Sequence, residues 1–356
     1  MQVELYIEPG ADTAGFASFS GRMLSSDEQS TWQGYYGYAG NVIEMAASSR
    51  TALSERSSLP RLALHELKDP CGARRLCALL ARHGFVVLTD VAEGTTLFAD
   101  LMHELGEFFG GASDATKAAS AGPSVYFSER GVPMWHTGYE RDPENVGMRE
   151  AWRYPSGIAP ADQNWPSAHF RRRYLALMRF CQRVCDRCLC CIMSEVGASD
   201  AAGTGGLGAG TDADRAQIPP RSMSDDKSVS YAVFYPNDRG GQQSNGVNIN
   251  AHRDPSLCVI EPVTHVAGLE IQDQCGAGSS NRSVTNASQH SERWIAVEKS
   301  CAPGKEFVLF GGLALERATG GRIRAALHRV TQARQPRTVF IFEQKYAAYF
   351  DEPWAD

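Results

Sequence analysis

Apolar residues recur at two spacings along the 356-residue chain, a helical spacing before residue 200 and a strand spacing after residue 226. In the first part, Leu76, Leu79 and Leu80 fall on one helix face, and Gly84 is a typical helix stop. Six prolines between residues 112 and 166 predict a loop-rich segment. The predicted elements of this part are helices over 71–83, 96–109 and 167–196 and a buried strand over 85–88.

After residue 226, short apolar stretches separated by turn residues predict β-strands throughout. Eight strands in succession favour a double-sheet jelly roll, an architecture that suits metal-binding sites. We therefore expect an α+β, β-dominated fold, with a jelly-roll core and a helical N-terminal region packed around it. The predicted strands cover 229–235, 247–252, 257–260, 269–272, 294–297, 306–310, 325–331 and 338–342.

Composition divides the chain further. The stretch 199–226 is rich in Gly and Ala and lacks a phosphate-binding motif, so it is predicted to be a flexible insertion. A second stretch, 274–292, is rich in Ser, Asn and Gly and is predicted to be a loop insertion between strands. The predicted organisation is an N-terminal extension (1–57), a helical region (58–198), the flexible insertion (199–226) and a jelly-roll domain (227–350).

Charge and hydropathy exclude some classes of partner. The net charge is −6 with mixed signs and no long basic run, which argues against nucleic acid or an anionic membrane as the main partner. No apolar stretch reaches the length of a membrane-spanning helix, and the first residues lack the basic start and apolar core of a signal peptide. We therefore expect a cytoplasmic protein.

Three of the ten cysteines, Cys185, Cys188 and Cys191, form a C-x-x-C-x-x-C run that resembles part of an iron–sulfur motif. They fall within a predicted continuous helix, which is a poor cradle for a cluster, and no fourth cysteine followed by proline lies nearby. Buried cysteines behave as small apolar residues. We therefore expect these three to pack in the core.

A His-x-Asp pair, His252 and Asp254, closes one of the predicted strands. Side chains two residues apart project from the same face of a strand, so these two point in the same direction. A second histidine would complete the two-histidine, one-carboxylate set of non-haem Fe(II) oxygenases. His328 is the candidate because it lies inside an apolar strand, where its burial needs an explanation, whereas His265 and His290 lie in a turn and a loop.

Arg337 begins an otherwise apolar predicted strand. Burying its charge is costly without an anion, and its planar guanidinium matches a carboxylate in bidentate fashion. A dicarboxylate that chelates the iron at one end would supply such an anion at the other end. Tyr235, which ends the first strand of the β region, is placed to add a hydroxyl group to the same carboxylate.

Taken together, the motifs of this region resemble the catalytic domain of the 2-oxoglutarate- and Fe(II)-dependent dioxygenases, specifically the isopenicillin N synthase-like group. The resemblance extends into the N-terminal region and covers about residues 58–348, apart from the two insertions. The motifs that carry it are Phe-Tyr-Pro at 234–236, His-Arg-Asp at 252–254, Gly-Leu-Glu-Ile at 268–271, Trp-Ile-Ala-Val at 294–297, Thr-Gly-Gly-Arg-Ile-Arg at 319–324, His-Arg-Val at 328–330 and Arg337.

The resemblance implies a function. His252, Asp254 and His328 would bind Fe(II), and Arg337, helped by Tyr235, would hold the distal carboxylate of 2-oxoglutarate. Hydroxylation or desaturation of a small-molecule substrate would then consume O2 and release succinate and CO2. The iron and the cosubstrate would do the oxidative chemistry, while the protein positions and shields the reactants.

The chain departs from the family pattern in three ways. Val339 stands where the family commonly has serine, which removes one hydroxyl from the cosubstrate site, and Gly312 stands where the family often has aspartate. The separation between Asp254 and His328 is longer than usual, which the 274–292 insertion accounts for. The first departure leaves open an Fe(II)-dependent oxidase of the same fold that does not use 2-oxoglutarate. A non-catalytic binding protein is a further alternative, disfavoured by the intact ligand set. The retained Asp254 argues against a halogenase.

Overall fold

The computed structural model describes residues 4–6, 20–22, 59–127, 133–141, 149–156, 164–203, 226–237, 246–275 and 293–346. The chain divides into two compact units, Met1–Ser54 and Glu55–Asp356. In the first unit, strand β1 (Glu4–Tyr6) pairs antiparallel with β2 (Ser20–Arg22). Most of the predicted extension 1–57 and most of the two predicted insertions lie outside the described residues.

The second unit contains two sheets, five α-helices among its described residues, and a few short turns of other helix types. The α-helices are α1 (Pro70–His83), α2 (Ala92–Gly106), α3 (Asp114–Ala119), α4 (Ala168–Gly203) and α5 (Leu313–Ala318). Short 3-10 helices cover Leu64–Lys68 and Val297–Ser300, and a π-helical turn covers Glu107–Gly111. The strands are β3 (Arg61–Ala63), β4 (Phe85–Thr89), β5 (Ala121–Phe127), β6 (Pro133–Arg141), β7 (Glu150–Pro155), β8 (Val229–Tyr235), β9 (Val247–His252), β10 (Cys258–Pro262), β11 (Leu269–Gln272), β12 (Trp294–Ala296), β13 (Phe307–Gly311), β14 (His328–Thr331) and β15 (Arg337–Glu343).

A nine-stranded sheet has the order β3-β4-β13-β10-β15-β8-β7-β6-β5, and a four-stranded sheet has the order β12-β11-β14-β9. Within both sheets every pairing is antiparallel except that of β3 with β4. The predicted α+β class with a preponderance of sheet is therefore confirmed. The strands predicted over 229–235, 247–252 and 269–272 have the predicted bounds.

The large sheet is covered on both faces. In β4, Val86 and Leu88 pack into the cluster that contains the helices, whereas Phe85 and Val87 pack with residues of the small sheet. A strand that is buried on both faces has apolar side chains on both, which explains why residues 85–88 do not alternate between apolar and polar. The resulting order of layers is helices, large sheet, small sheet.

Helix α4 supplies much of the core. Cys185 and Cys188 are fully buried there and Cys191 is 8% exposed, so the predicted core packing is confirmed. Burial raises the pKa of the Cys185 and Cys188 thiols well above the ordinary range. The helix also continues to Gly203, several residues beyond its predicted end and into the segment predicted as an insertion.

The expectation of a loop-rich segment over 112–166, within a region predicted to be helical, was wrong. Strands β5, β6 and β7 lie there and extend the large sheet outward from β8. Three of the six prolines lie in these strands, in an edge strand or at a strand end, where they disturb the pairing least. Pro123 is in the edge strand β5, Pro133 is the first residue of β6 and Pro155 is the last residue of β7.

Within the described part of the chain, no helix combines the length and apolar character needed to cross a membrane.

Gly94 allows α2 to approach the core closely, because an added Cβ would lie 2.4 Å from the Phe180 ring and 2.8 Å from the Phe307 ring. We predict that Gly94→Ala destabilises the fold by about 1–3 kcal/mol through overpacking, despite the better helix propensity of alanine. Gly106, in the same helix, has nothing within 4 Å of an added Cβ, and Gly106→Ala is the matched control. Urea unfolding measures both, and equal stability of the two variants would contradict this packing.

Candidate metal centre and adjoining cavity

The pairing of β9 with β14 brings the three predicted metal ligands together. His252 ends β9, His328 begins β14, and the two are directly opposite each other in the antiparallel ladder. Asp254 follows His252 by two residues, and its Oδ1 lies 3.3 Å from His252 Nε2. Its Oδ2 lies 3.5 Å from His328 Nε2. One ligand atom from each residue can be chosen so that all three lie within 4.8 Å of one another.

Backbone carbonyls orient both imidazoles. His252 Nδ1 lies 2.9 Å from the Asn250 carbonyl oxygen, and His328 Nδ1 lies 3.1 Å from that of Ala326. A carbonyl only accepts, so each Nδ1 donates and each neutral ring keeps its Nε2 lone pair for a metal. This is the usual arrangement of metal-binding histidines. The donor set and its orientation therefore fit a divalent transition metal.

The electrostatics of the three residues favour a positive charge between them. Burial lowers the pKa of His328 and keeps its ring neutral. Burial also opposes the charged form of His252, but the hydrogen bond and the charge of Asp254 outweigh it and raise the pKa of His252. Burial disfavours the Asp254 carboxylate, yet the neighbouring imidazoles hold its pKa below the ordinary value.

Gly312 supports the loop that carries Asp254. The Leu313 N–H donates to the Asp254 carbonyl oxygen at 2.8 Å, so the chain around residue 312 packs against this loop. A Cβ on Gly312 would lie 2.3 Å from the Ser256 carbonyl oxygen and 2.6 Å from that of Asp254. This close backbone approach leaves no room for a side chain at position 312, where the 2-oxoglutarate-dependent dioxygenases often have aspartate.

A cavity of about 800 Å³, including its open mouth, lies between the two sheets and reaches the metal centre. Its walls are mainly apolar, with Val259, Leu269, Phe310, Val330 and Ile341 facing inward. The polar side chains on its walls include Arg149 and Arg153 from the β7 region, Tyr231 and Tyr235 from β8, Glu261 from β10 and Glu343 from β15.

Four buried polar atoms on these walls have no hydrogen-bond partner among the described residues: the Tyr235 hydroxyl, Glu261 Oε1, Arg153 Nε and Glu343 Oε2. The side chains of Arg153 and Glu343 have ion-pair partners in Glu140 and Lys345. Burial raises the pKa of Tyr235, and burial together with the Glu298 carboxylate raises the pKa of Glu261 to about 8. Both groups are therefore neutral donors at pH 7, and buried donors without partners indicate a site for a ligand acceptor.

Arg337 was expected to contact the distal carboxylate of the cosubstrate, and the structure pairs it with a carboxylate of the protein. The Arg337 side chain is 1% exposed and does not line the cavity, although its guanidinium carbon lies 5.8 Å from the centre of the Tyr235 ring. Nη2 donates to Glu298 Oε2 at 3.1 Å, and Nε donates to the Val266 carbonyl oxygen at 3.1 Å. The positive charge of Arg337 is thus balanced inside the protein.

Glu298 was missed from the sequence. It lies in the 3-10 helix after β12 and is fully buried, where it also accepts from the backbone N–H groups of Thr264, Gly268 and Leu269. Glu261 was missed too, although an acidic residue inside an apolar strand is as conspicuous as Arg337. Its position directly after the predicted strand 257–260 was a signal of the same kind as that of Arg337.

Solved structures with this fold are known, whereas no family model and no curated protein matches the sequence. A 2OG-Fe(II) oxygenase family protein from Caulobacter crescentus is 20% identical, with a TM-score of 0.59 over 81% of this chain and 87% of that chain. The rice dioxygenase for auxin oxidation is 17% identical, with a TM-score of 0.57 over 81% and 83%. A Neurospora crassa protein, solved in complex with alpha-KG and 5-formyluracil, is 14% identical, with a TM-score of 0.56 over 81% and 84%.

At these identities the likeness establishes the fold, and the resemblance to the 2-oxoglutarate/Fe(II) oxygenases is confirmed at that level. The chain covers most of each of these structures, so the likeness is not confined to one motif.

We predict that Gly312→Ala weakens divalent-metal binding by roughly tenfold or more, because the added methyl group displaces the Asp254 loop and such positioning contacts typically contribute 10–100-fold. Gly197→Ala is the control, since nothing lies within 4 Å of a Cβ at that position in α4. Isothermal titration of both purified variants with Mn²⁺ under identical conditions measures the effect. Equal affinities would show that the close approach does not hold Asp254 in place.

Proposed function

We propose that the protein is an Fe(II)- and 2-oxoglutarate-dependent oxygenase that oxidises a small molecule by hydroxylation or desaturation. The observation that carries this proposal is the grouping of His252, Asp254 and His328, with both Nδ1 atoms donating to carbonyls and both Nε2 atoms beside the carboxylate. In the same proposal, the facing sheets form the double-stranded β-helix of that superfamily.

The protein's part in this reaction is to hold, orient and shield the reactants. His252, Asp254 and His328 would hold Fe(II) on one side, leaving positions open opposite. When bound, the iron would supply the activation of O2 and the oxidation of a C–H bond. The apolar side chains of Phe310 and Val330 line the cavity beside the centre and would limit the access of water to the bound reactants.

We propose that the distal carboxylate of 2-oxoglutarate is bound by Tyr235 and Glu261. Their unpartnered donors face the cavity, and each would donate one hydrogen bond to a carboxylate oxygen. Arg337 would then not touch the cosubstrate. Its guanidinium would position the Tyr235 ring, and Glu298 would neutralise the positive charge of Arg337. This arrangement also compensates for Val339, which offers no hydroxyl.

The second candidate is an Fe(II)-dependent oxidase that does not use 2-oxoglutarate. The specific observation in its favour is the ion pair of Arg337 with Glu298, which leaves the cavity without a free guanidinium from β15. The fold neighbours favour the first candidate, because the Neurospora crassa protein is solved with alpha-KG. That protein also holds 5-formyluracil, and the rice enzyme is named for auxin oxidation, which supports a small-molecule substrate.

We predict that the protein incubated with Fe(II), 2-oxoglutarate, O2 and ascorbate forms succinate, even without substrate, through uncoupled turnover. His252→Ala should reduce the rate at least a hundredfold, because it removes a metal ligand. His103→Ala, at an exposed histidine on helix α2, should leave the rate unchanged. Quantifying succinate and O2 separates the candidates, since O2 consumption without succinate would favour the oxidase.

We predict that Glu261→Leu raises the KM for 2-oxoglutarate roughly ten- to hundredfold, the usual cost of losing a hydrogen bond to a charged group. Glu261→Gln keeps an N–H donor of similar size and should raise it much less. Steady-state succinate formation at constant Fe(II) measures both. Equal KM values for wild type and Glu261→Leu would exclude Glu261 from the cosubstrate site.

The Glu261 carboxyl group should also make the KM for 2-oxoglutarate depend on pH. Because its pKa is raised to about 8, Glu261 is a neutral donor below that pH and becomes an anion above it. The KM for 2-oxoglutarate should therefore rise by about tenfold per pH unit above pH 8. Glu261→Gln should flatten this rise, and a rise of equal steepness in both proteins would assign the dependence to another group.

A further inference from the structure

A second group of side chains of metal-ligating type lies outside the cavity, where the end of α1 meets the chain after β11. His83 is the last residue of α1, and Asp273 and Cys275 follow β11. One ligand atom from each lies within 4.8 Å of the others, and Cys275 Sγ is 3.1 Å from His83 Nδ1. In a tetrahedral zinc site, ligand atoms are roughly 3.3–3.7 Å apart, as the bond lengths and angle require.

We propose that His83, Asp273 and Cys275 form a second metal site, for Zn²⁺ or a similar thiophilic divalent cation. The three side chains supply one imidazole nitrogen, one carboxylate oxygen and one sulfur. Such a mixed set with a thiolate suits Zn²⁺ and other metals with affinity for sulfur, and differs from the nitrogen and oxygen set of the cavity. Cys275 is exposed, so a water molecule can take the fourth position.

Gln274 packs the segment that carries Asp273 and Cys275 against the end of α1, which carries His83. It lies between Asp273 and Cys275, is 8% exposed, and its Nε2 donates to the Ala325 carbonyl oxygen at 3.1 Å. Its amide also fills the space beside Gly84, where an added Cβ would lie 2.7 Å from Nε2. The residue after His83 thus packs directly on the residue between the other two ligands.

Further contacts fix the segment that carries Asp273 and Cys275. The Cys275 N–H donates to Asp273 Oδ1 at 3.0 Å, and Arg324 Nη2 donates to the Gln274 carbonyl oxygen at 3.1 Å. The Asp273 N–H donates to the Arg293 carbonyl oxygen at 2.8 Å. A site held this way loses little conformational entropy when a metal binds, which favours affinity.

The charges at the site balance a divalent cation. Burial and the Asp273 carboxylate raise the pKa of the Cys275 thiol, so metal binding would release its proton. The thiolate and the Asp273 carboxylate then carry two negative charges, and burial lowers the pKa of His83, which keeps its ring neutral for binding. Two arginines flank the cluster: Arg82 is exposed, and Arg293 Nη1 lies 3.7 Å from Asp273 Oδ2 with 78% of its side chain exposed. Both side chains can turn into solvent when a metal replaces their charge.

Cobalt(II) binding tests this proposal, because a thiolate ligand produces an intense sulfur-to-cobalt charge-transfer absorption that nitrogen and oxygen ligands do not. The background is His252→Ala, which impairs the site in the cavity. Anaerobic titration of this variant with Co²⁺ should give the charge-transfer band, saturating at one equivalent. Zn²⁺ added afterwards should displace the cobalt and abolish the band.

Adding Cys275→Ser to this background should abolish the band. Adding Cys71→Ser should leave it intact, because Cys71 is an exposed cysteine at the other end of α1. His83→Gln and Asp273→Asn should each weaken cobalt binding at least tenfold, while circular dichroism confirms that the variants are folded. No band in the His252→Ala protein, or a band that survives Cys275→Ser, would overturn the proposal. Neither result would affect the proposed oxygenase function.

Discussion

The register between β9 and β14 determines where every residue of the proposed metal centre lies. It places His328 opposite His252, and the loop after β9 then returns Asp254 between the two imidazoles. A shift of one residue would turn His328 to the other face of the sheet. The neighbouring ladder from β11 to β14 fixes the same strand from its other edge, since His328 is also paired with Ile271.

The sequence pointed to the three candidate ligands because their spacing is local or their surroundings are unusual. Strand alternation placed His252 and Asp254 on one side, although β9 ends at His252 and Asp254 lies in the loop that follows. His328 stands out in an apolar stretch. Strands β5 to β7 could not be predicted in the same way. Their stability comes from pairing along the edge of β8, and their prolines occupy tolerated strand positions that sequence alone does not distinguish from loops.

Arg337 illustrates the limit of the same reasoning. Its position in an apolar strand correctly indicated that a buried guanidinium needs an anion, but the nearest anion is Glu298, which the sequence separates from it by 39 residues. The pair leaves the cavity with neutral donors, the Tyr235 hydroxyl and the protonated Glu261. The ion pair lies behind the cavity wall and the unpartnered donors lie on its inner surface, and the two are coupled because Glu298 raises the pKa of Glu261.

The proposed function requires that His252, Asp254 and His328 hold Fe(II) with positions open for 2-oxoglutarate. The most direct measurement is an anaerobic titration of the purified protein with Fe(II) and 2-oxoglutarate, followed by visible absorption. We predict a metal-to-ligand charge-transfer band that saturates at one equivalent of each and is absent from His328→Ala. Failure of the wild-type protein to bind Fe(II), or an identical band in His328→Ala, would contradict it.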